Sequence, residues 1–231
     1  MKRYFWVVMI TVFIVQDIGS QNLVNIDDKP IHFGFTLGLN TMDYGIKTVP
    51  TEINGKMYEA DVTTLVPGFT VGVIGDLRLG RYFNLRLIPA LHLSQRDLSY
   101  FNNQDDKVET LNIKSNVLTV PLYLKYSAAR IKNYRPYLIA GGGLAFDLGR
   151  EREKPLLLKQ MDYFVDFGVG CTFYFPFFRL SPEIKFAMGF NDIHTPLADR
   201  PDDHISEDNR FFTEALKRLT SRLFTFAFNF E

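Results

Sequence analysis

The sequence predicts an all-β protein, an eight-stranded antiparallel barrel that crosses a membrane with its strands. Three observations carry this. The last nine residues place Phe224, Phe226, Phe228 and Phe230 at every second position, with Thr225, Ala227 and Asn229 between them. Successive strand side chains point to opposite faces, so this segment has one aromatic face and one small, polar face. The same alternation recurs along the chain with no helical layer to cover the apolar side, which leaves lipid as the cover. Finally, short and long connections alternate between the strands, as they do in membrane barrels.

The N-terminus supplies a route to a membrane. Lys2 and Arg3 precede an apolar run from Tyr4 to Val15, and Ile18, Gly19 and Ser20 lead into Gln21. That order of charge, apolar core and small residues is expected of a secretory signal peptide over residues 1–20, and the run is short for a membrane anchor. No cysteine follows it to accept a lipid, so the barrel domain is expected over residues 21–231.

Composition fits such a barrel. Mean hydropathy is only -0.04, yet aromatic residues reach 15% and hydrophobic residues 46% of the 231 positions. Lys plus Arg and Asp plus Glu balance at 26 each, which gives no basic field for nucleic acid. The single Cys171 cannot form an internal disulfide, and its strand parity turns it outward between Val169 and Phe173 as a small apolar residue.

Eight strands follow from the alternation. In the first, Ile31, Phe33, Phe35, Leu37 and Leu39 face lipid, with His32, Gly34, Thr36, Gly38 and Asn40 opposite. The second sets Phe69, Val71, Val73, Leu77 and Leu79 against Gly68, Thr70, Gly72, Asp76 and Arg78. After a tight turn at Gly80 and Arg81, the third sets Phe83, Leu85, Leu87, Leu91 and Leu93 against Asn84, Arg86, Ala90 and His92. The fourth carries Leu118, Val120, Leu122, Leu124 and Tyr126 outward. The fifth, Arg135 to Leu148, passes through Gly141, Gly142 and Gly143, which permit bending or close approach, and its facing is not set by the pattern. The sixth carries Tyr163, Val165, Phe167, Val169, Cys171 and Phe173 outward, and the seventh Phe178, Leu180, Ile184, Phe186 and Met188. The terminal phenylalanine strand is the eighth.

The links near Gly80, from Ala129 to Asn133 and at Pro176 are short, whereas the others are long and polar. Bacterial outer-membrane barrels place tight turns and both termini in the periplasm and longer loops outside. Tyr82, Tyr126, Tyr134, Tyr137, Tyr174 and Phe175 cluster at the short-turn ends, where an aromatic girdle is expected.

A soluble barrel with its apolar face inside is the structural rival. The polar face argues against it, because Gly34, Gly38, Gly68, Gly72, Gly168 and Gly170 suit the cramped interior of an eight-stranded barrel better than a solvated surface. An interior polar face needs its charges paired. Asp76 and Arg86 are nearly equidistant from the turn at Arg81, so a simple hairpin sets them opposite each other with Arg78 one diagonal away. Asp166, Arg179, Glu183, Lys185 and, near the periplasmic end, Lys125 complete an expected lumen network whose role is structural. A lumen so filled is not a wide channel.

Three other features resemble sites. His92 and Ser94 stand two apart on one strand face, a spacing seen in lipid A deacylases, but they point into the lumen and Asp97, Asp105 and Asp106 are poorly placed to orient the imidazole. His194, Asp199, Asp202, Asp203 and His204 are suitable cation donors without a ligand spacing, in a loop broken by Pro196 and Pro201. Ser206 caps an expected helix to Leu219, with Phe211, Phe212 and Leu216 on one face. That helix lies over the barrel mouth or at the membrane interface, or docks a partner. No catalytic, cofactor or metal site is expected.

Four segments carry a family resemblance: VLTVPLYLKY from Val117, RPYLIAGGGLAFDL from Arg135, LSPEIKFAMGFND from Leu180 and the ending LTSRLFTFAFNFE. Over roughly Ile31 to Glu231 the chain resembles the PorT family of outer-membrane barrels of the Bacteroidota. The resemblance implies a non-enzymatic component of the type IX secretion system, in contact with outer-membrane lipid and other secretion proteins, and in many species supporting gliding. The alternative is a general small barrel for envelope integrity, adhesion or lipid modification.

Overall fold

The computed structural model describes residues 26–48, 52–53, 56–102, 105–149, 158–195 and 216–231, with side chains over 26–47, 65–96, 114–149, 158–195 and 218–231. The expected signal peptide lies outside the described residues. After a short 3-10 turn at Ile26–Asp28 come β1 (Ile31–Thr48), β2 (Glu52–Ile53), β3 (Lys56–Leu65) and β4 (Pro67–Arg78). Next are β5 (Phe83–Leu87), β6 (Ala90–Asn102), β7 (Asp105–Ser127), β8 (Tyr134–Asp147), β9 (Met161–Tyr174), β10 (Arg179–Gly189) and β11 (Leu216–Phe230).

Hydrogen bonding links these strands into a ring. Neighbours run β1-β11-β10-β9-β8-β7-β5-β4, and β4 returns to pair with β1, all antiparallel. β5 and β6 form one stave interrupted at Ile88 and Pro89, both sections pairing with β4 and β7. Proline has no N–H to give, but its carbonyl still accepts from Val73 N at 3.0 Å, so the interruption costs little pairing. The result is an eight-stave barrel, closed without a free edge at membrane level.

Facing follows parity as expected. Phe33 is 77% exposed, and Phe35, Leu37, Phe69, Val73, Leu122, Tyr163, Val169, Ile184, Phe224 and Phe228 join it on the outer surface, while Thr36, Thr70, Asp76, Arg86, Lys125, Asp166, Glu183, Thr225 and Asn229 are buried inside. An apolar exterior around a polar interior is the inverse of a soluble barrel. The facing of β8, which the pattern does not set, is fixed by Tyr137 and Ile139 inside and Leu138 outside.

The staves outrun the apolar band at the long-loop end. β1 has 18 residues and β7 has 23, against the 9–11 or so that cross a bilayer. Beyond the band β3 pairs with β6, β6 with β7, and β1 with β11. This corrects the expected helix in the last loop. Leu216 to Leu219 belong to β11, where Leu219 pairs with Ile46 and is fully buried. A prolonged β1 offers a ready ladder to that segment, and cross-strand pairing overrides its helical spacing. Phe211, Phe212 and the rest of the expected helix lie outside the described residues.

The aromatic girdle is also corrected in part. Tyr82, Tyr126 and Tyr134 are exposed at the short-turn rim, with ring centroids of Tyr82 and Tyr126 6.3 Å apart. Tyr137 and Tyr174 instead point inward and are buried. Each has a lumenal partner for its hydroxyl: Glu183 for Tyr137 at 2.6 Å and Asp27 for Tyr174 at 2.8 Å. Hydrogen bonding to a carboxylate inside the barrel or at its mouth outweighs a place at the interface.

Candidate functional site: the charged lumen

The β4–β5 hairpin sets Asp76 directly across from Arg86. Arg86 Nε donates to Asp76 Oδ2 at 2.7 Å, and the Asn84 amide donates to Asp76 Oδ1. The guanidinium reaches further than a pair. Its Nη2 bonds the Glu231 carboxylate, and Nη1 lies 3.8 Å from Glu183, held there by charge. Arg179 Nη2 donates to the other Glu231 oxygen at 2.6 Å, and Lys185 Nζ is 3.3 Å from Glu183. Arg86 is 0% exposed. An isolated ion at such a site would cost several kcal/mol, roughly, and only mutual pairing makes the arrangement tolerable.

Aromatic side chains complete the layer. The Tyr123 hydroxyl donates to Asp166 at 2.5 Å, and the Lys125 ammonium sits 4.1 Å from the Tyr137 ring centre. Glycines make room for these rings, since a Cβ on Gly170 would press into the Tyr137 ring. Arg86, Lys125, Arg179 and Lys185 thus face Asp76, Asp166, Glu183 and Glu231, four cations against four anions. A cavity of about 20 Å³ lies on the short-turn side, lined by His32, Asn84 and Arg179 among others, and one of about 30 Å³ on the long-loop side, lined by Met42, Arg96 and Asp162 among others.

Of the residues singled out in the sequence, Asp76, Arg86, Lys125, Asp166, Arg179, Glu183 and Lys185 are buried in the lumen. Arg78 is not part of that layer. It pairs at 2.9 Å with Asp28 at the exposed mouth, because it stands one pair nearer the turn. Glu231, Tyr123 and Tyr137 were missed. Parity could have found Glu231, the next inward position after Asn229, and Tyr123, which falls between the outward Leu122 and Leu124.

The deacylase spacing dissolves in the structure. His92 hydrogen-bonds Thr70 through Nδ1 at 2.9 Å and Thr119 through Nε2 at 3.0 Å, while Ser94 Oγ reaches toward the Val66 carbonyl at 3.5 Å. Both ring nitrogens are engaged away from the serine. His194 lies beside Leu158 in an isolated bridge, and Asp199, Asp202, Asp203 and His204 lie outside the described residues. Among the described residues no cluster of His, Cys, Asp and Glu is placed to hold a metal ion.

A family model described as the outer membrane protein beta-barrel domain matches residues 19–195, well over half of the chain. The protein belongs to this outer-membrane barrel family. Among solved structures, the outer-membrane barrel is similar to OprG from Pseudomonas aeruginosa at 11% identity, covering 92% of this chain and 95% of that one with a TM-score of 0.45. It is similar to neisserial surface protein A at 9% identity, covering 87% and 98% with a TM-score of 0.43. Ail, the attachment invasion locus protein of Yersinia pestis, gives 10% identity over 86% and 96% with a TM-score of 0.38, in a crystal with the heparin analogue sucrose octasulfate. No curated protein matches the chain.

Proposed function

We infer that this outer-membrane barrel is a non-enzymatic component of the type IX protein secretion machinery that works by contact with other secretion subunits and does not itself conduct cargo. One observation carries the contact part: the lumen layer around Arg86, in which Asp76, Glu183 and Glu231 surround a fully buried guanidinium. An eight-stranded barrel has room inside for side chains and little else, and here those side chains are charged and mutually locked. The export setting is supported by the resemblance of the Val117, Arg135, Leu180 and Leu219 segments to the PorT family. In this reading the signal peptide, residues 1–20, is removed, the domain spans 21–231, both termini are periplasmic, and the partner contacts include Phe211, Phe212 and Leu216.

Deleting the gene tests the export setting. Secretion of type IX cargo should stop, with unprocessed cargo accumulating in the periplasm, whereas normal secretion by the deletion strain would overturn it. A general envelope or adhesion role is the second reading, favoured by the strand extensions that carry β3, β6, β7 and β11 beyond the apolar band.

A further inference from the structure

The short-turn mouth gathers arginines from four places in the chain around one short acidic stretch. Three of them are anchored by bonds that do not involve that stretch. Arg130 Nε donates to the Lys132 carbonyl at 2.8 Å, Arg135 donates to the carbonyls of Ala128 and Arg81, each at 2.8 Å, and Arg179 holds Glu231 at 2.6 Å. Their Nη1 atoms nevertheless converge on the Asp27 carboxylate, at 3.6 Å from Arg130 and 3.7 Å from both Arg135 and Arg179. Tyr174, stacked 3.6 Å under the Arg130 guanidinium, donates its hydroxyl to Asp27 at 2.8 Å. Arg78 takes the neighbouring Asp28 at 2.9 Å, and the His32 ring bonds the Ile26 carbonyl at 2.8 Å.

The arginines are held independently of the aspartates they face. The guanidiniums are positioned by other partners, their contacts with Asp27 exceed hydrogen-bond length, and Arg179 Nε is buried with no hydrogen-bond partner. The occupant sits at the rim. The 3-10 turn has no buried residue, and the Arg78–Asp28 pair, with the aspartate 75% exposed, is of the kind worth roughly 0–1 kcal/mol, whereas Asp27, 22% exposed, is the more firmly seated of the two. What the mouth recognises is also specific in kind: two successive carboxylates and a backbone carbonyl, which is an acidic peptide.

We propose that the short-turn mouth is a docking site for an acidic peptide segment of a partner protein, which Asp27 and Asp28 occupy in cis until the partner's carboxylates replace them. The proposal gives the contact mechanism a place on the molecule and rests on that reading for the existence of a partner. Its geometry stands on the mouth alone.

The test uses the purified full-length barrel in zwitterionic detergent and a fluorescein-labelled oligo-aspartate peptide followed by anisotropy. Removing the cis carboxylates with Asp27→Asn and Asp28→Asn should raise affinity about tenfold or more, equivalent to about 1.4 kcal/mol. Adding Arg135→Gln should return binding to the native level, and added salt should weaken it. Asp28→Asn alone, which leaves Asp27 in place, should give a smaller gain, and unheated gel mobility verifies folding of every variant. Equal affinity of the native and double-Asn barrels would overturn the proposal, as would displacement of the peptide by inorganic tripolyphosphate at lower concentration than by unlabelled peptide. Failure here leaves cargo secretion untouched, so it is distinguishable from failure of the export reading.

Discussion

Replacing Asp76 and Arg86 singly and together distinguishes a lumen network from a simple ion pair. Arg86→Met strands Asp76 and takes one of two arginines from Glu231, side chains each only 2% exposed, and should cost roughly 3–5 kcal/mol, the range for breaking a buried pair from one side. Asp76→Leu leaves Arg86 with Glu231 and, at 3.8 Å, Glu183, so its cost falls to about 1.5–3 kcal/mol, the worth of a bond to a charged group. In the double variant Asp76 no longer needs a partner, but Glu231 has still lost Arg86 and keeps Arg179 at 2.6 Å. Its cost should therefore lie at roughly 2–4 kcal/mol, below Arg86→Met alone and well below the sum of the singles. The chain has one tryptophan, Trp6, inside the expected signal peptide, so unfolding is best followed by unheated gel mobility across a urea series in lipid vesicles. A double variant equal to the sum of the singles would refute any interaction. One as stable as the native barrel would refute the network, leaving an isolated pair.

Two further outcomes test the topology and the facing. In a Cys171→Ala background, cysteines at Asn103 and Asp202 should react with an impermeant thiol reagent on intact cells and one at Asn133 should not, and reversed labelling would invert the barrel. Phe228, on the outer surface, should tolerate arginine poorly, losing roughly 1–3 kcal/mol according to depth. Asn229 is fully buried with neither side-chain polar atom hydrogen-bonded, so Asn229→Ala should cost about 1 kcal/mol or less, since no bond is lost. Equal damage from the two changes, read by folding yield into vesicles, would contradict the facing.

The membrane-level barrel was legible because lipid enforces a strict rule there. Every outward position from Phe33 to Leu39 must be apolar or small, and a single slip would bury Asp76 or Glu183 in hydrocarbon. The Asp76–Arg86 pairing likewise followed from counting outward from one tight turn. Beyond Leu39 the solvent imposes no such alternation. Met42 and Tyr44 turn inward while Thr41 and Asp43 turn outward, so β1 reads as a loop although it remains a strand to Thr48. The same loss of pattern made Leu216 and Leu219 look helical. Tyr137 and Tyr174 were misplaced for another reason: tyrosine suits a membrane interface and a partner carboxylate equally well, and the three-dimensional positions of Glu183 and Asp27 decide between them. Glu231 is bound jointly by Arg86 and Arg179, which are 93 residues apart in sequence and meet only when the barrel closes.

Single-channel recording from the purified barrel in planar bilayers tests the central claim most directly. A lumen crossed by Arg86, Glu183, Tyr123 and Tyr137, each buried, should give no resolvable steps in molar potassium chloride, and opening should appear only when the Arg86 layer is removed. Large, steady currents from the native protein would contradict a closed lumen and, with it, action by contact alone.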